Sequence, residues 1–206
     1  MVMVKDKKYL VIFVPTEVEK KYLKDSLLTF DGPLNFSYKI VVTGYGKVNA
    51  AQYCALETQQ NCDAVVSCGW CGAKAPHEIG DLVNPSCVID YSLAKISKEV
   101  PSLELPVSKI DTLALEEGNV MLSADMWVSP SSFPLDTPWC DPCSFDMESF
   151  AIAQVAADVN IPTIIAKIVA DDVQSSESES QYDSAPEYLV NFGPVVYLLN
   201  DLSVKL

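Results

Sequence analysis

The sequence contains no arginine, and all 14 of its basic residues are lysines. Acidic residues number 28, so the formal net charge is −14 and the sequence pI lies near 4.3. A surface of this charge repels a phosphate backbone or an anionic membrane. The planar guanidinium that usually binds phosphate with two hydrogen bonds is also missing. We therefore expect neither nucleic acid nor a membrane as a partner.

Long apolar runs are missing as well, since none approaches the roughly 18 residues that a membrane span requires. The run at 9–14 follows lysines, but it is too short for a signal peptide and no small-residue cleavage site follows it. Histidine occurs once, as His77, to which we assign no role. The seven cysteines are an odd number scattered through apolar segments, which predicts free thiols and a cytoplasmic location.

The 206 residues are 49% hydrophobic, which is enough for one core and predicts a single domain over 1–206. Apolar runs rich in Val and Ile alternate with Ala-rich segments of helical spacing. The predicted strands are 9–14, 39–43, 64–68, 81–90, 119–123 and 163–170. The predicted helices are 48–60 and 146–159, with weaker candidates at 17–28 and at 187–202, where Gly193-Pro194 should break or kink the helix. This alternation predicts an α/β fold with a mixed, mostly parallel sheet covered by helices.

Ligands of such sheets bind outside the carboxyl ends of the strands. The residues at these predicted ends are 15–19, 44–47, 69–72, 125–128 and 171–172. Two further segments have the composition of loops. Four prolines lie in 129–144, and 173–184 is acidic and rich in serine.

Two Cys-x-x-Cys pairs, Cys68/Cys71 and Cys140/Cys143, together supply four possible zinc ligands. Their separation is far wider than the roughly 15–20 residues found in many such sites. A redox dithiol at Cys68/Cys71 should open a helix, which the following Gly-Ala-Lys-Ala-Pro does not favour. The alternative is that these cysteines are small apolar side chains beside glycines that open the backbone. We predict no metal and no cofactor.

Two other segments could carry chemistry. The turn TGYGKVNAA at 43–51 could bind an anion at a helix N-terminus, or it is simply a tight strand-to-helix turn. A carboxylate at the start of the apolar helix DMESFAIAQ is favoured by the helix dipole. A carboxylate that ends the buried strand TIIAKIVADD would be partly desolvated.

At these motifs the sequence resembles the purine nucleoside phosphorylase and nucleosidase superfamily, in particular its hydrolytic branch of methylthioadenosine/S-adenosylhomocysteine nucleosidases and futalosine hydrolases. Five segments are similar to family motifs in the same order: 43–51, 69–83, 123–128, 146–154 and 167–171. Four residues depart from the family pattern, namely Ala124, Trp127, Lys167 and Ala170. The resemblance implies a three-layer α/β sandwich of the nucleoside phosphorylase type and a homodimer.

The resemblance also implies roles for individual residues. Asp171 would be the acid that protonates the leaving purine, and Glu19 would position the attacking water. Asp172 and Glu17 lie close enough in sequence to share or exchange these two roles. The other residues would bind the substrate. Glu148 and Met147 would contact the ribose, Trp127 and Val128 the base, and the backbone of Gly69, Trp70 and Cys71 would lie against both.

The implied substrate is a purine nucleoside, and water is the expected acceptor because a chain without arginine binds phosphate poorly. Wide divergence between the motifs favours the futalosine branch, whereas an aspartate at 171 favours an adenine leaving group. 6-Amino-6-deoxyfutalosine, a nucleoside of menaquinone synthesis, satisfies both. Methylthioadenosine and S-adenosylhomocysteine are the alternative substrates. A phosphorylase and an inactive nucleoside-binding relative are the remaining alternatives.

Overall fold

The computed structural model describes residues 7–92, 109–115, 119–125, 143–173 and 190–206, with Cys143 described by its backbone alone. Within these ranges lie nine strands and four helices. In chain order they are β1 (Lys8–Val14), α1 (Glu17–Thr29), β2 (Phe36–Val42), α2 (Lys47–Glu57), β3 (Ala64–Ala73), β4 (Leu82–Val83), β5 (Cys87–Asp90), β6 (Lys109–Asp111), β7 (Val120–Ser123), β8 (Cys143–Asp146), α3 (Ser149–Asp158), β9 (Thr163–Asp172) and α4 (Gly193–Leu202). Trp127, Val128 and most of the two predicted loops lie outside the described residues.

All nine strands belong to one mixed sheet. Its main path runs β2-β1-β3-β8-β7-β5-β6, and β9 pairs with both β3 and β4. The pairs β1/β2, β1/β3, β3/β9, β5/β7 and β7/β8 are parallel. The pairs β3/β8, β4/β9 and β5/β6 are antiparallel. The sheet is therefore mixed and mostly parallel, as predicted.

Helices cover both faces of the sheet because the central strands are apolar on both sides. In β1, Leu10, Ile12 and Val14 pack with α1 and α4 in one core cluster. Val11 and Phe13 point to the opposite face and pack with α2 and α3. These three layers confirm the predicted architecture. No helix in the described ranges is long and apolar enough to cross a membrane.

The structure corrects three predictions about the elements. The segment 69–72 is not a loop after a strand, because β3 continues to Ala73 in parallel register with β9. The strand predicted over 81–90 is two short strands, interrupted at Pro85, which has no N–H to donate to a neighbouring strand. Gly193-Pro194 does not break a helix. It begins α4, where the missing N–H of proline costs nothing.

The sheet opens along one edge of β3. The register with β1 ends at Ser67, and the register with β8 begins at Gly72. Between these two partners, the backbone N–H of Trp70 donates to Glu19 Oε1 of α1 at 2.9 Å. We call this gap at residues 68–71 the β3 notch. In the notch, the Glu19 carboxylate accepts the hydrogen bond that a neighbouring strand would otherwise accept from β3.

The notch requires glycine at position 69. Gly69 has φ +139°, and a Cβ built there would lie 2.5 Å from Glu19 Oε1 and 3.1 Å from Pro15 Cδ. A side chain would therefore strain the backbone and also push the Glu19 carboxylate away from the Trp70 N–H.

We predict that Gly69→Ala lowers the free energy of unfolding by about 1–3 kcal/mol, measured by urea denaturation. Gly46→Ala is the matched control, since Gly46 also has positive φ, at +89°, but nothing lies within 4 Å of the Cβ position. The loss at Gly69 should exceed the loss at Gly46 by the cost of displacing Glu19. Equal losses would contradict the steric role assigned to the notch.

Candidate active site

Glu19 is held in the β3 notch by both of its carboxylate oxygens. Thr16 caps α1 by accepting from the Glu19 N–H at 3.2 Å, and its hydroxyl donates to Glu19 Oε2 at 2.6 Å. Oε1 accepts from Trp70 N–H. Only 3% of Glu19 is exposed, and burial raises its pKa, against the opposing effect of these hydrogen bonds and of the Lys167 charge.

Glu17, the other glutamate at the start of α1, is in a different environment. Its side chain is 73% exposed and forms an ion pair with Lys20 at 3.0 Å. The structure therefore separates the two glutamates that the sequence left as alternatives. Glu19 is the one that is buried beside β3.

Glu148 occupies the N-cap of α3, between β8 and the helix. It is buried, and its Oε1 accepts from the backbone N–H of Gly46 at 2.8 Å. The glycine turn before α2 therefore does bind an anion, but the anion is a carboxylate of the protein itself. Burial, aided by the negative charge of Asp146, raises the pKa of Glu148 to about 7, while Lys167 opposes the shift.

Lys167 lies in the middle of β9, directly opposite Gly69, and its side chain is fully buried. Its Nζ is 3.1 Å from Asp146 Oδ2, an ion pair in which both side chains are at most 1% exposed. Burial disfavours its charge, but the carboxylates of Asp146, Glu148 and Glu19 raise its pKa overall. One cation and three carboxylates thus form a buried charge cluster, which we call the acid–lysine cluster.

Asp171 is the ninth residue of β9, opposite Gly72 of β3, and is 3% exposed. Its charge acts on the thiol of Cys71, whose pKa is raised chiefly by burial. Asp172, the next residue, is exposed. Both aspartates pair with β3, Asp172 with Ala73, so burial alone distinguishes them, and Asp171 is the buried one.

The remaining predicted binding residues fall into two groups. Met147 lies between Asp146 and Glu148 and is partly buried. The backbone N–H of Trp70 lies in the notch, and its ring packs against the ring of Tyr22 of α1, with centroids 6.2 Å apart. Trp127 and Val128 lie outside the described residues, so their contact with the base stays a prediction.

The cysteines beside the notch are buried free thiols. Cys68 and Cys71 are 0% and 3% exposed, and burial raises the pKa of Cys68 to about 12. Protonated, enclosed thiols are poor nucleophiles and poor redox groups. Cys140 lies outside the described residues. Among the residues that are described, no group of three or more His, Cys, Asp or Glu is arranged to hold a metal ion.

Two functional features escaped the sequence analysis. Asp146 was placed inside a helix, whereas it ends β8 and binds Lys167. Lys47 was part of a possible anion-binding turn, whereas its Nζ lies 2.9 Å from Asp90 and 3.1 Å from Asp125. The lysine inside the otherwise apolar run at 163–170 was the sequence signal for the ion pair, because a buried ammonium requires a buried anion.

Comparison with family models and with curated protein sequences finds no match to this chain. Comparison with solved structures finds many. The 5'-methylthioadenosine/S-adenosyl homocysteine nucleosidase of Campylobacter jejuni is 16% identical with a TM-score of 0.73, and the match covers 97% of this chain and 100% of that one. The S-adenosylhomocysteine nucleosidase of Streptococcus pyogenes, in complex with 5-methylthiotubericidin, is 18% identical with a TM-score of 0.71, over 97% and 99% of the two chains.

Futalosine hydrolase of Helicobacter pylori is similar to the same degree, with 16% identity, a TM-score of 0.72 and coverage of 97% and 98%. The match extends over nearly the whole of each protein. The chain therefore has the α/β fold shared by methylthioadenosine/S-adenosylhomocysteine nucleosidases and futalosine hydrolase, and the resemblance seen in its motifs is confirmed at the level of the fold.

Proposed function

We propose that this protein is a nucleoside N-ribosyl hydrolase that cleaves the N-glycosidic bond of a 5'-modified adenine nucleoside and releases adenine. The observation that carries the proposal is the acid–lysine cluster. Buried carboxylates of Glu19 and Glu148 flank one ammonium at an opening in the sheet. The fold is one on which such nucleosidases are built.

The chemistry of glycosidic cleavage matches these groups. The bond between C1' of the ribose and the purine breaks as water attacks C1', and positive charge develops on the sugar. Glu19 would accept a proton from that water, and Asp171 would donate a proton or hydrogen bond to N7 of the departing base. The products are the free base and a ribose whose C1' carries the new hydroxyl. Burial raises the pKa of Glu19, which suits it to take up a proton.

Glu148 would accept hydrogen bonds from the 2'- and 3'-hydroxyls of the ribose. One of its oxygens is already fixed by the Gly46 N–H, which orients the other. Lys167 Nζ meets no acceptor with hydrogen-bond geometry in the described part of the chain, although it is ion-paired with Asp146. Its remaining donors would be available to a bound water or hydroxyl.

Water is favoured over phosphate as the acceptor. The chain has no arginine, and in its described part the lysine of the cluster and the lysine after Gly46 are both ion-paired within the protein. Lys47 is bound by Asp90 and Asp125, and Lys167 is bound by Asp146. A phosphate dianion entering beside Glu19 and Glu148 would meet more negative than positive charge.

Among adenine nucleosides we propose 6-amino-6-deoxyfutalosine as the substrate, which would place the enzyme in menaquinone biosynthesis. The divergence between motifs and the aspartate at 171 together support this choice. Methylthioadenosine and S-adenosylhomocysteine are the second candidate. The nearly equal TM-scores of 0.73 and 0.72 give the fold itself no preference between these substrates.

The function is tested by incubating the protein with aminodeoxyfutalosine, futalosine, methylthioadenosine, S-adenosylhomocysteine, adenosine and inosine, and following free base by chromatography. We expect adenine from aminodeoxyfutalosine at the highest kcat/KM, together with the 5'-modified ribose carrying a hydroxyl at C1', and a rate unchanged by phosphate. A sugar product phosphorylated at C1' would make the protein a phosphorylase. Absence of free base from every nucleoside would support a binding protein without activity.

The acid role is tested by Asp171→Asn, which keeps the size of the side chain but removes its proton donor. We expect kcat to fall by about 10²–10⁴-fold, with the unfolding midpoint little changed. Asp172→Asn is the matched control and should retain most activity. If Asp172→Asn loses as much as Asp171→Asn, the two aspartates share the role.

A homodimer is proposed on the basis of an exposed apolar surface at α2. Tyr45, Val48 and Leu56 are 68%, 82% and 54% exposed. The spacing of Val48 and Leu56 places these two on one side of α2, and Tyr45 lies just before the helix. The reduced, buried cysteines suit a cytoplasmic location.

We expect sedimentation equilibrium to give twice the mass of the chain, and Val48→Lys to shift the protein towards monomer. Val159→Lys, at a residue 50% exposed at the end of α3, is the control and should leave the mass unchanged. A monomeric wild-type protein at micromolar concentration would refute the dimer.

A further inference from the structure

The carboxylate of Asp146 connects several elements of the fold. It ends β8, and its carboxylate accepts from Ser123 Oγ at the end of β7 at 2.9 Å. It also accepts from the backbone N–H and the hydroxyl of Ser149, the first residue of α3. Its fourth partner is the Lys167 ammonium of β9. One carboxylate thus joins two strand ends, a helix N-terminus and the central strand.

The network extends one step further into the sheet. Ser149 Oγ lies 2.8 Å from Ser67 Oγ of β3, at the position where β1 leaves that strand. Asp146 is therefore connected to the edge of the β3 notch through a single hydroxyl. All of these groups are buried, so water does not compete for their hydrogen bonds.

In the described part of the chain, Asp146 has more protein partners than either neighbouring glutamate. Glu148, two residues later, is held by Gly46 at one oxygen, and Glu19 is held by Thr16 and Trp70. The ammonium that faces both glutamates is fixed by Asp146. Three hydrogen-bond donors and the Lys167 ammonium surround the two oxygens of Asp146, which leaves it little capacity for a substrate.

We propose that Asp146 is a positioning residue, which fixes the Lys167 ammonium between Glu19 and Glu148 and orients Glu148 through the N-terminus of α3. It does not touch substrate, and it acts through Lys167 and Ser149. The inference rests on the proposed function for its effect on catalysis, but its effect on the charges of the site is independent of any substrate.

The groups that face Lys167 and Glu148 set the sign of the expected change. They are Glu19 on α1, Asp146 on β8, Tyr45 before α2, the thiols of Cys68 and Cys71 on β3, and each other. Asp146 raises the pKa of both Lys167 and Glu148. Replacing it by asparagine removes that charge and frees the ammonium to pair with Glu148. Both effects move the titration of Glu148 to lower pH.

The first test follows the titration of Glu148 by NMR of glutamate labelled with ¹³C at its carboxyl carbon, in wild type and Asp146→Asn, with Glu148→Gln to assign the signal. We expect the midpoint, near pH 7 in the wild type, to fall by about one pH unit, the usual size of the effect of a neighbouring charge. Asp63→Asn is the matched control, because Asp63 likewise binds a lysine, Lys8, and a backbone N–H, that of Tyr9, but outside the site. An unmoved Glu148 midpoint in a folded Asp146→Asn protein overturns the proposal.

The second test uses the nucleosidase reaction. We expect Asp146→Asn to lower kcat by about 10²-fold, as expected of misplaced catalytic groups, with KM changed less than threefold. Lys167→Met should cost at least as much, and the double variant should be no worse than Lys167→Met alone. Additive losses in the double variant would mean that Asp146 does not act through Lys167. Asp63→Asn should retain wild-type kcat.

The two tests separate failure of this inference from failure of the proposed function. If no nucleoside is cleaved by the wild-type protein, the proposed function fails, and the NMR titration still decides whether Asp146 controls the cluster. If Asp146→Asn does not fold, Asp146→Glu keeps the charge with a longer side chain and is titrated in its place. A Glu148 midpoint that stays at the wild-type value in this variant, together with wild-type kcat, would show that the position of the carboxylate is unimportant.

Discussion

The ion pair between Lys167 and Asp146 is the interaction on which the candidate site depends. Removing a charge from water is costly, and in a protein interior an unpaired ammonium is destabilising by several kcal/mol. Lys167 is fully buried in a central strand, so an anion has to accompany it. Asp146 supplies that anion from β8, and this strand lies close to Lys167 only when the sheet has formed. The pair therefore requires β8, β9 and α3 to be correctly assembled.

Lys167 in turn permits the other two carboxylates to be buried. Glu19, Asp146 and Glu148 would place three negative charges against one positive charge if all were ionised. Each backbone N–H that points at Glu19 or Glu148 offsets part of that excess. Burial is the main cause of the raised pKa of both glutamates, and that of Glu148 is raised to about 7. The Lys167 ammonium opposes the rise at both residues and so favours their ionised forms.

The fold was largely predictable because the long strands are mostly apolar. Each of β1, β3 and β9 contains a buried run of apolar residues, and two of the helices follow from alanine content and spacing. β6 and β8 were missed because they are short: the sequence of β8 is Cys-Ser-Phe-Asp, and β6 is mostly exposed. Such strands are defined by their neighbours in the sheet, which local composition does not encode.

The sequence predicted the candidate site residues but not the contacts between them. Glu19, Glu148 and Asp171 were all chosen from motifs, and all three are buried, while their roles stay predictions. The assignment of 69–72 to a loop was wrong because glycines at a strand end and glycines inside a strand look alike in sequence. What distinguishes them here is a pairing with β9 that spans about a hundred residues of chain. The partner of Lys167 could not be predicted for the same reason, because β8 and β9 come together only by pairing with the two edges of β3.

The absence of arginine has a structural consequence at Lys167. A guanidinium is planar and carries five donors, so in this buried position it would need several acceptors in a fixed arrangement. An ammonium is compact and needs fewer, and Asp146 already satisfies its charge. Substituting lysine therefore keeps the positive charge between Glu19 and Glu148 while giving up the two-pronged hydrogen bonding on which phosphate recognition depends. That exchange suits a site whose nucleophile is water, which needs one donor and one acceptor rather than an anion clamp.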